Sequence, residues 1–189
     1  MYMKNSRSRL GAAVLPATLL CAFASSSHAG EWSANASMTS NYIWRGLTQT
    51  ENEAAVQGGI DYASDSGFYI GTWASNVNYG PSDVYSYEHD VYAGFAFDTG
   101  AISWDVGYLY YNYDKEANFD FGEVYVGVGI GGFSAKYNVL ANTEADEAPG
   151  QDFGFGEAYY LSLDYGFEVG DGVGIGVHIG HHDGDFAEA

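Results

Sequence analysis

The sequence predicts an all-β fold, an antiparallel transmembrane β-barrel, because stretches of about ten residues alternate apolar and polar side chains. Tight glycine turns and longer acidic connections alternate between these stretches, as do periplasmic turns and extracellular loops in outer-membrane barrels. The tight turns, where glycine supplies positive φ, are Ser64–Gly67, Asp98–Gly100, Ile130–Gly132 and Gly170–Gly172. The longer connections are Ile43–Asn52, Asn78–Ser86, Tyr113–Asp120, Ala141–Gly156 and the tail from His181.

A segment with the features of a secretory signal peptide precedes the alternating part. A basic start, an apolar stretch and a cleavage site of small residues follow one another: Lys4, Arg7 and Arg9, then Leu10 to Ala24, then Ser27-His28-Ala29. We therefore assign residues 1–29 to a signal for Sec export into the periplasm and residues 30–189 to the barrel. No later stretch approaches eighteen consecutive apolar residues, so any membrane crossing has to use strands.

Charge and composition exclude several classes of protein. After removal of the signal, three basic residues, Arg45, Lys115 and Lys136, face the 25 Asp and Glu of the chain, which disfavours a nucleic-acid partner. The mean hydropathy of −0.17 is too low for a helical membrane protein. The single cysteine, Cys21, lies in the signal, so the exported protein has no disulfide and no cysteine metal site.

Nine strands are predicted, and the two-residue period assigns their faces except for Phe68–Val77, whose facing is ambiguous. Their predicted bounds are Trp32–Asn41, Glu53–Tyr62, Phe68–Val77, Tyr87–Phe97, Ile102–Tyr110, Phe121–Ile130, Phe133–Leu140, Tyr159–Phe167 and Val173–Gly180. In the fifth of these, Trp104 and Val106 share the outer face, and Asp105 and Gly107 share the inner one. An inner face this rich in glycine favours a barrel over a sandwich.

Nine strands that begin in the periplasm leave an open sheet edge. A bilayer tolerates no unpaired backbone polar groups, and bacterial single-chain barrels have an even number of strands. We therefore expect the chain to be C-terminally truncated, with the closing strands encoded beyond Ala189.

Four segments resemble one family: Ser40–Thr50, Ala55–Tyr62, Gly71–Val77 and Asp105–Tyr111. They are similar to the TorF porin family, also named Gcw_chp, of exported Gram-negative proteins, and the Tyr42–Gly46 run is the most specific part. The resemblance implies an outer-membrane barrel of about twelve strands with a pore. It also implies membrane lipid, lipopolysaccharide, the barrel-assembly machinery and small solutes or cations as partners, and no cofactor.

The inward positions collect mainly negative charge, and they are the candidate pore-lining residues. These are Arg45, Asp61, Glu88, Asp90, Asp105, Glu123, Lys136, Asp164 and His178, with Asp98 and Glu168 at the same parity. Acidic rings favour cations over anions. In a narrow barrel the same groups could instead pair with Tyr, Asn and the few bases into a network that fills the interior.

Arg45 has two interpretations. It could line a constriction and pair with inward carboxylates, or it could cap the first loop and stack on an aromatic face.

One cluster has the ligand types of a metal site: His178, His181, His182 and Asp183. Adjacent histidines in an acidic loop at a strand end are more often solvated than bound to a metal. The motifs of serine hydrolases, zinc proteases and phosphate-binding loops are missing from the sequence, so we expect no enzyme activity.

Three functions remain open at this stage. The first is an outer-membrane channel for passive diffusion of small solutes, with a preference for cations. The second is a non-conducting outer-membrane barrel whose acidic loops serve adhesion or bind metal or another ligand. The third is a soluble exported barrel that binds a ligand inside.

Overall fold

The computed structural model describes residues 30–170 and 172–188. The predicted signal, residues 1–29, and Asp171 of the last turn lie outside the described residues. The strands are β1 (Glu31–Thr39), β2 (Ile43–Trp44), β3 (Leu47–Thr48), β4 (Ala55–Ala63), β5 (Phe68–Asn76), β6 (Tyr87–Thr99), β7 (Ile102–Tyr113), β8 (Phe121–Ile130), β9 (Phe133–Thr143), β10 (Tyr159–Glu168) and β11 (Gly174–Asp183). A 3-10 turn, Lys115–Ala117, precedes β8, and a short helix, α1 (Asp185–Glu188), follows β11.

Nine of the eleven strands form one antiparallel sheet in the order β1-β4-β5-β6-β7-β8-β9-β10-β11. The predicted all-β antiparallel fold is therefore confirmed, and each of the nine predicted strands is present. Within the described residues β1 and β11 each have one neighbour, so the sheet is open there. In the same part of the chain, no helix combines the length and the apolar character needed to cross a membrane.

Several parts of the chain differ from the prediction. β7 and β9 run on to Tyr113 and Thr143, past their predicted ends at Tyr110 and Leu140. The connection predicted from Ile43 to Asn52 contains the separate β2–β3 hairpin. The prediction of a loop from His181 onward is wrong, because β11 continues to Asp183, which pairs in register with Tyr159 of β10. Backbone pairing with β10 outweighs the polar character of this segment, whose residues alternate between the two faces of the sheet.

The sheet has one apolar and one polar face, as the two-residue period predicts. On β6, Val91 and Phe95 are exposed on the apolar face, which is convex, while Glu88, Asp90 and Tyr92 are buried on the polar face, which is concave. The facing of β5, ambiguous in the sequence, follows the same rule. Convex side chains throughout the sheet are large and exposed, among them Ile60, Ile70, Val106, Val126, Leu163, Phe167, Val177 and Ile179.

The sheet is strongly curled about its concave face. The hydroxyl groups of Tyr69 on β5 and Tyr125 on β8 are hydrogen-bonded to each other. These strands are three apart in the sheet, which corresponds to about 14 Å in a flat sheet. Tyrosines that stand upright on a flat sheet could not meet across that width, so the sheet has to bend around them.

The two ends of the curled sheet differ. The long-loop end carries the connections after β1, β5, β7 and β9, and the turn end carries the four glycine turns. At the long-loop end, aromatic side chains fill the concave side, and Phe186 of α1 packs 5.1 Å from Phe119, 5.0 Å from Phe121 and 5.3 Å from Phe153 between ring centroids. The interior of the fold therefore lies mainly at the long-loop end.

Gly107 provides a test of this close packing. A Cβ atom at Gly107 would lie 2.5 Å from the Tyr125 hydroxyl oxygen and 2.7 Å from the Ala93 carbonyl oxygen. We expect Gly107→Ala to lower the free energy of unfolding by about 1–3 kcal/mol, the usual cost of overpacking, measured by urea unfolding in detergent micelles.

Gly129→Ala is the matched control, because a Cβ atom at Gly129 on the same face meets nothing nearer than 3.7 Å. Equal losses in the two variants would contradict the curled arrangement around Tyr125.

Candidate functional site on the concave face

The β2–β3 hairpin brings Arg45 onto the concave face. Ile43 pairs with Thr48 and Trp44 with Leu47, which leaves a two-residue turn. Arg45 and Gly46 have φ values of 48° and 89°, as a type I′ turn requires at both central positions. Positive φ is unfavourable for arginine, so the contacts of the side chain have to offset the strain of the turn.

Arg45 is held on several sides. Its Nη2 lies 2.5 Å from Glu123 Oε2 on β8, and its Nη1 donates to His182 Nε2 on β11 at 3.1 Å. The guanidinium also lies 4.2 Å from the Trp44 ring centroid and 4.5 Å from that of Tyr160. The ion pair of the first interpretation and the aromatic stacking of the second are therefore both present, and a constriction stays a prediction.

The charge state of Arg45 follows from this setting. Burial by itself lowers the pKa of Arg45, but the charge and the hydrogen bond of Glu123, together with the neighbouring Tyr111 and Tyr160, outweigh that effect, so the pKa lies above its ordinary value. The guanidinium is charged, and the hairpin tip carries a buried positive charge that Glu123 neutralises.

Glu88 is bound by two tyrosines at the base of the hairpin. The Tyr42 hydroxyl donates to Oε1 at 2.6 Å and the Tyr113 hydroxyl to Oε2 at 2.8 Å. Burial, and then the charge of Glu88, raise the pKa of Tyr42, so its hydroxyl keeps the proton that it donates. Tyr42 also accepts a backbone hydrogen bond of 2.7 Å from Gln49, which joins the two ends of the hairpin segment.

Tyrosines also bind the carboxylates nearer the turn end. The Tyr92 hydroxyl donates to Asp61, and the Tyr69 hydroxyl donates to Asp105 Oδ1 at 2.5 Å. The ammonium of Lys136 lies 3.5 Å from the Tyr125 ring centroid.

A histidine links two further groups on β10. His178 Nδ1 lies 2.6 Å from Asp164 Oδ1, and its Nε2 lies 2.9 Å from the Tyr160 hydroxyl. A neutral imidazole in this position holds its proton on Nδ1 beside the carboxylate, so Nε2 accepts from Tyr160.

All the candidate pore-lining residues on strands lie on the concave face, and Arg45 reaches it from the hairpin. The structure joins Arg45 directly to Glu123 and His178 directly to Asp164. Asp90 differs from the others, because its Oδ1 is buried without a hydrogen-bond partner. That these residues line a pore stays a prediction.

The metal candidates are divided between the faces. His178 and His182 pair in register with Asp164 and Tyr160 and face the concave side, whereas His181 and Asp183 lie at alternate positions on the convex side. His181 Nε2 and Asp183 Oδ2 are 4.0 Å apart. Within the described ranges, no three His, Cys, Asp or Glu side chains are arranged as a metal site, so these four residues stay a prediction without support from the geometry.

The sequence analysis considered tyrosine as a partner of the inward carboxylates but did not identify the individual tyrosine donors. Five tyrosines on the concave face bind the carboxylates or one another: Tyr69, Tyr92, Tyr111, Tyr113 and Tyr125. Their parity is the signal that could have found them, because each occupies the same alternating positions as the carboxylates on its own or the neighbouring strand.

Fold and site together define an antiparallel, all-β protein with an apolar convex face and an acidic, tyrosine-bound concave face. The sequence model of the Gcw_chp family, described as a bacterial protein of unknown function, matches residues 22–188. The chain belongs to the Gcw_chp family. No curated protein and no solved structure matches it, and the TorF porin assignment stays a prediction.

The Arg45–Glu123 pair allows a test by substitution. Removing one partner of a buried ion pair leaves the other charge uncompensated and typically costs 3–5 kcal/mol. We expect Arg45→Met to lower the free energy of unfolding by about that amount in urea titrations followed by tryptophan fluorescence.

The double variant Arg45→Met, Glu123→Gln is the control, and it should lose clearly less than Arg45→Met alone because no buried charge is left unpaired. If Arg45→Met unfolds like the unmodified chain, the pair does not hold the hairpin.

Proposed function

We propose that the chain forms the wall of an outer-membrane β-barrel that passes small solutes by diffusion and prefers cations. The observation that carries the proposal is the division between an exposed apolar convex face and a concave face lined by carboxylates. A protein in water normally hides such a convex face, whereas lipid is a suitable solvent for it.

The convex face supports the membrane part of the proposal. Exposed aromatic and aliphatic side chains cover it on every strand from β4 to β11, and Trp32 and Met38 continue it on β1. The partners of this face would be membrane lipid and lipopolysaccharide, after Sec export and insertion by the barrel-assembly machinery. In the barrel, the open edges of β1 and β11 would pair with further strands, because lipid does not tolerate unpaired backbone groups.

The concave face supports the preference for cations. Its carboxylates outnumber its basic groups, Arg45 and Lys136, and the guanidinium of Arg45 is already paired with Glu123. A pore lined by such groups attracts cations and repels anions.

A second function, a non-conducting barrel that presents its acidic loops for adhesion or ligand binding, is favoured by a different observation. The carboxylates of Asp61, Glu88 and Asp105 accept hydrogen bonds from tyrosines instead of facing open space. Aromatic side chains also fill the long-loop end. Conductance separates the two functions, because only the first requires current.

We expect the protein to conduct in planar bilayers. In a KCl gradient, the sign of its reversal potential should indicate selectivity for cations. The triple variant Asp61→Asn, Asp105→Asn, Asp164→Asn should move the reversal potential towards zero, because it removes three negative charges from the concave face.

The matched control removes three charges from an exposed loop, Glu144→Gln, Asp146→Asn and Glu147→Gln, and should leave the reversal potential close to that of the unmodified chain. An unmodified protein that inserts into the bilayer without conducting would reject the channel in favour of the second function, and anion selectivity would reject the acidic pore.

A further inference from the structure

Asp90 lies in a buried acidic group at the long-loop half of the concave face. Glu88, Asp90 and Glu123 are 1%, 8% and 4% exposed, and the charge of Asp90 interacts with those of both neighbours. Buried charges are costly unless they are paired and hydrogen-bonded. The stability of this group therefore depends on the positive charges and hydrogen-bond donors close to it.

Positive charge at this level is insufficient. Arg45 is in contact with Glu123. Lys136 pairs with Gly127 on β8, whereas Asp90 pairs with Tyr111 on β7, which in turn pairs with Phe121 on β8. Gly127 and Phe121 are about 20 Å apart along β8, so Lys136 is far from Asp90. Lys115, the remaining base, is exposed beside β8. Three carboxylates thus face one guanidinium.

One carboxylate oxygen of the group is both buried and without a hydrogen bond. Glu88 accepts from Tyr42 and Tyr113, and Glu123 accepts from Arg45 and Tyr111. Asp90 Oδ1 is buried and has no hydrogen-bond partner. A buried carboxylate oxygen without a donor is costly, so this atom marks a position that a bound cation would stabilise.

We propose that Asp90 binds a small monovalent cation, of the class of Na⁺ or K⁺, on the concave face beside Glu88 and Glu123. Divalent hard cations take six or more oxygen ligands, whereas both Glu88 oxygens and Glu123 Oε2 already accept hydrogen bonds. Asp90 is flanked in register by Trp73 and Tyr111, and aromatic rings attract cations. The site does not require a channel, since binding can occur without conduction.

The test uses the protein refolded in detergent in mildly alkaline buffer. KCl or NaCl replaces N-methylglucamine chloride at constant ionic strength, so that general screening does not change. We expect the Tm to rise with the logarithm of the K⁺ or Na⁺ concentration once the site begins to fill. Tryptophan emission, to which Trp73 contributes, should change over the same range of concentration.

Asp90→Asn should abolish the cation-dependent rise in Tm. In N-methylglucamine chloride alone the same variant should have a higher Tm than the unmodified chain, because it no longer buries an unpaired charge. Asp61→Asn is the matched control, since it removes one concave charge whose carboxylate is bound by Tyr92, and it should keep the rise.

Four results would overturn the proposal. No K⁺ or Na⁺ dependence in the unmodified chain would mean that Asp90 holds a proton instead. A rise that persists in Asp90→Asn would place the cation elsewhere, and an equal loss in Asp61→Asn would assign the effect to overall charge. A larger response to Mg²⁺ or Ca²⁺ would exclude the monovalent class. None of these results depends on conductance, so the site and the channel can fail separately.

Discussion

The contact between Arg45 and Glu123 is the constraint on which the interior of this protein depends. It joins the tip of a two-residue hairpin turn to the middle strands of the sheet, and His182 and Tyr160 extend the contact to β11 and β10. One side chain therefore connects the segment after β1 with the opposite edge of the sheet. Because arginine holds its charge even when buried, the hairpin can leave this position only by separating two charges in a poorly solvated space.

The tyrosines solve the problem that the acidic concave face creates. Carboxylates packed on one face repel one another, and the chain has few basic side chains to neutralise them. A phenol hydroxyl donates a hydrogen bond without adding a charge, and its ring fills volume in the curl. Glycines opposite the rings make this possible: Gly71 lies beneath the Tyr92 ring and Gly107 beneath that of Tyr125. The same arrangement of carboxylate, tyrosine and glycine therefore recurs along the sheet.

The sequence was sufficient for the nine long strands and for the faces of all of them but β5, because alternation is a local property that each strand carries by itself. Ile102–Tyr110 was predicted with the facing that the structure has. The β2–β3 hairpin was missed, since two-residue strands are too short for alternation to be detected. The partners of Asp61 and Asp105 were missed for another reason: Tyr92 and Tyr69 come from strands two apart from their carboxylates. Such contacts depend on the curl of the sheet, which no single strand encodes.

Burial on the concave face follows a gradient that bears on both functions considered above. Glu88, Asp90 and Glu123 are buried at the long-loop half, whereas Asp98 and Glu168 at the turn end are exposed. An ion that enters from the turn end would therefore meet hydrated carboxylates first and engaged ones later. Any resistance to its passage has to lie where the hairpin and the aromatic cluster fill the curl. In the proposed channel the acidic lining would attract cations over its whole length, and the hairpin would decide whether they pass.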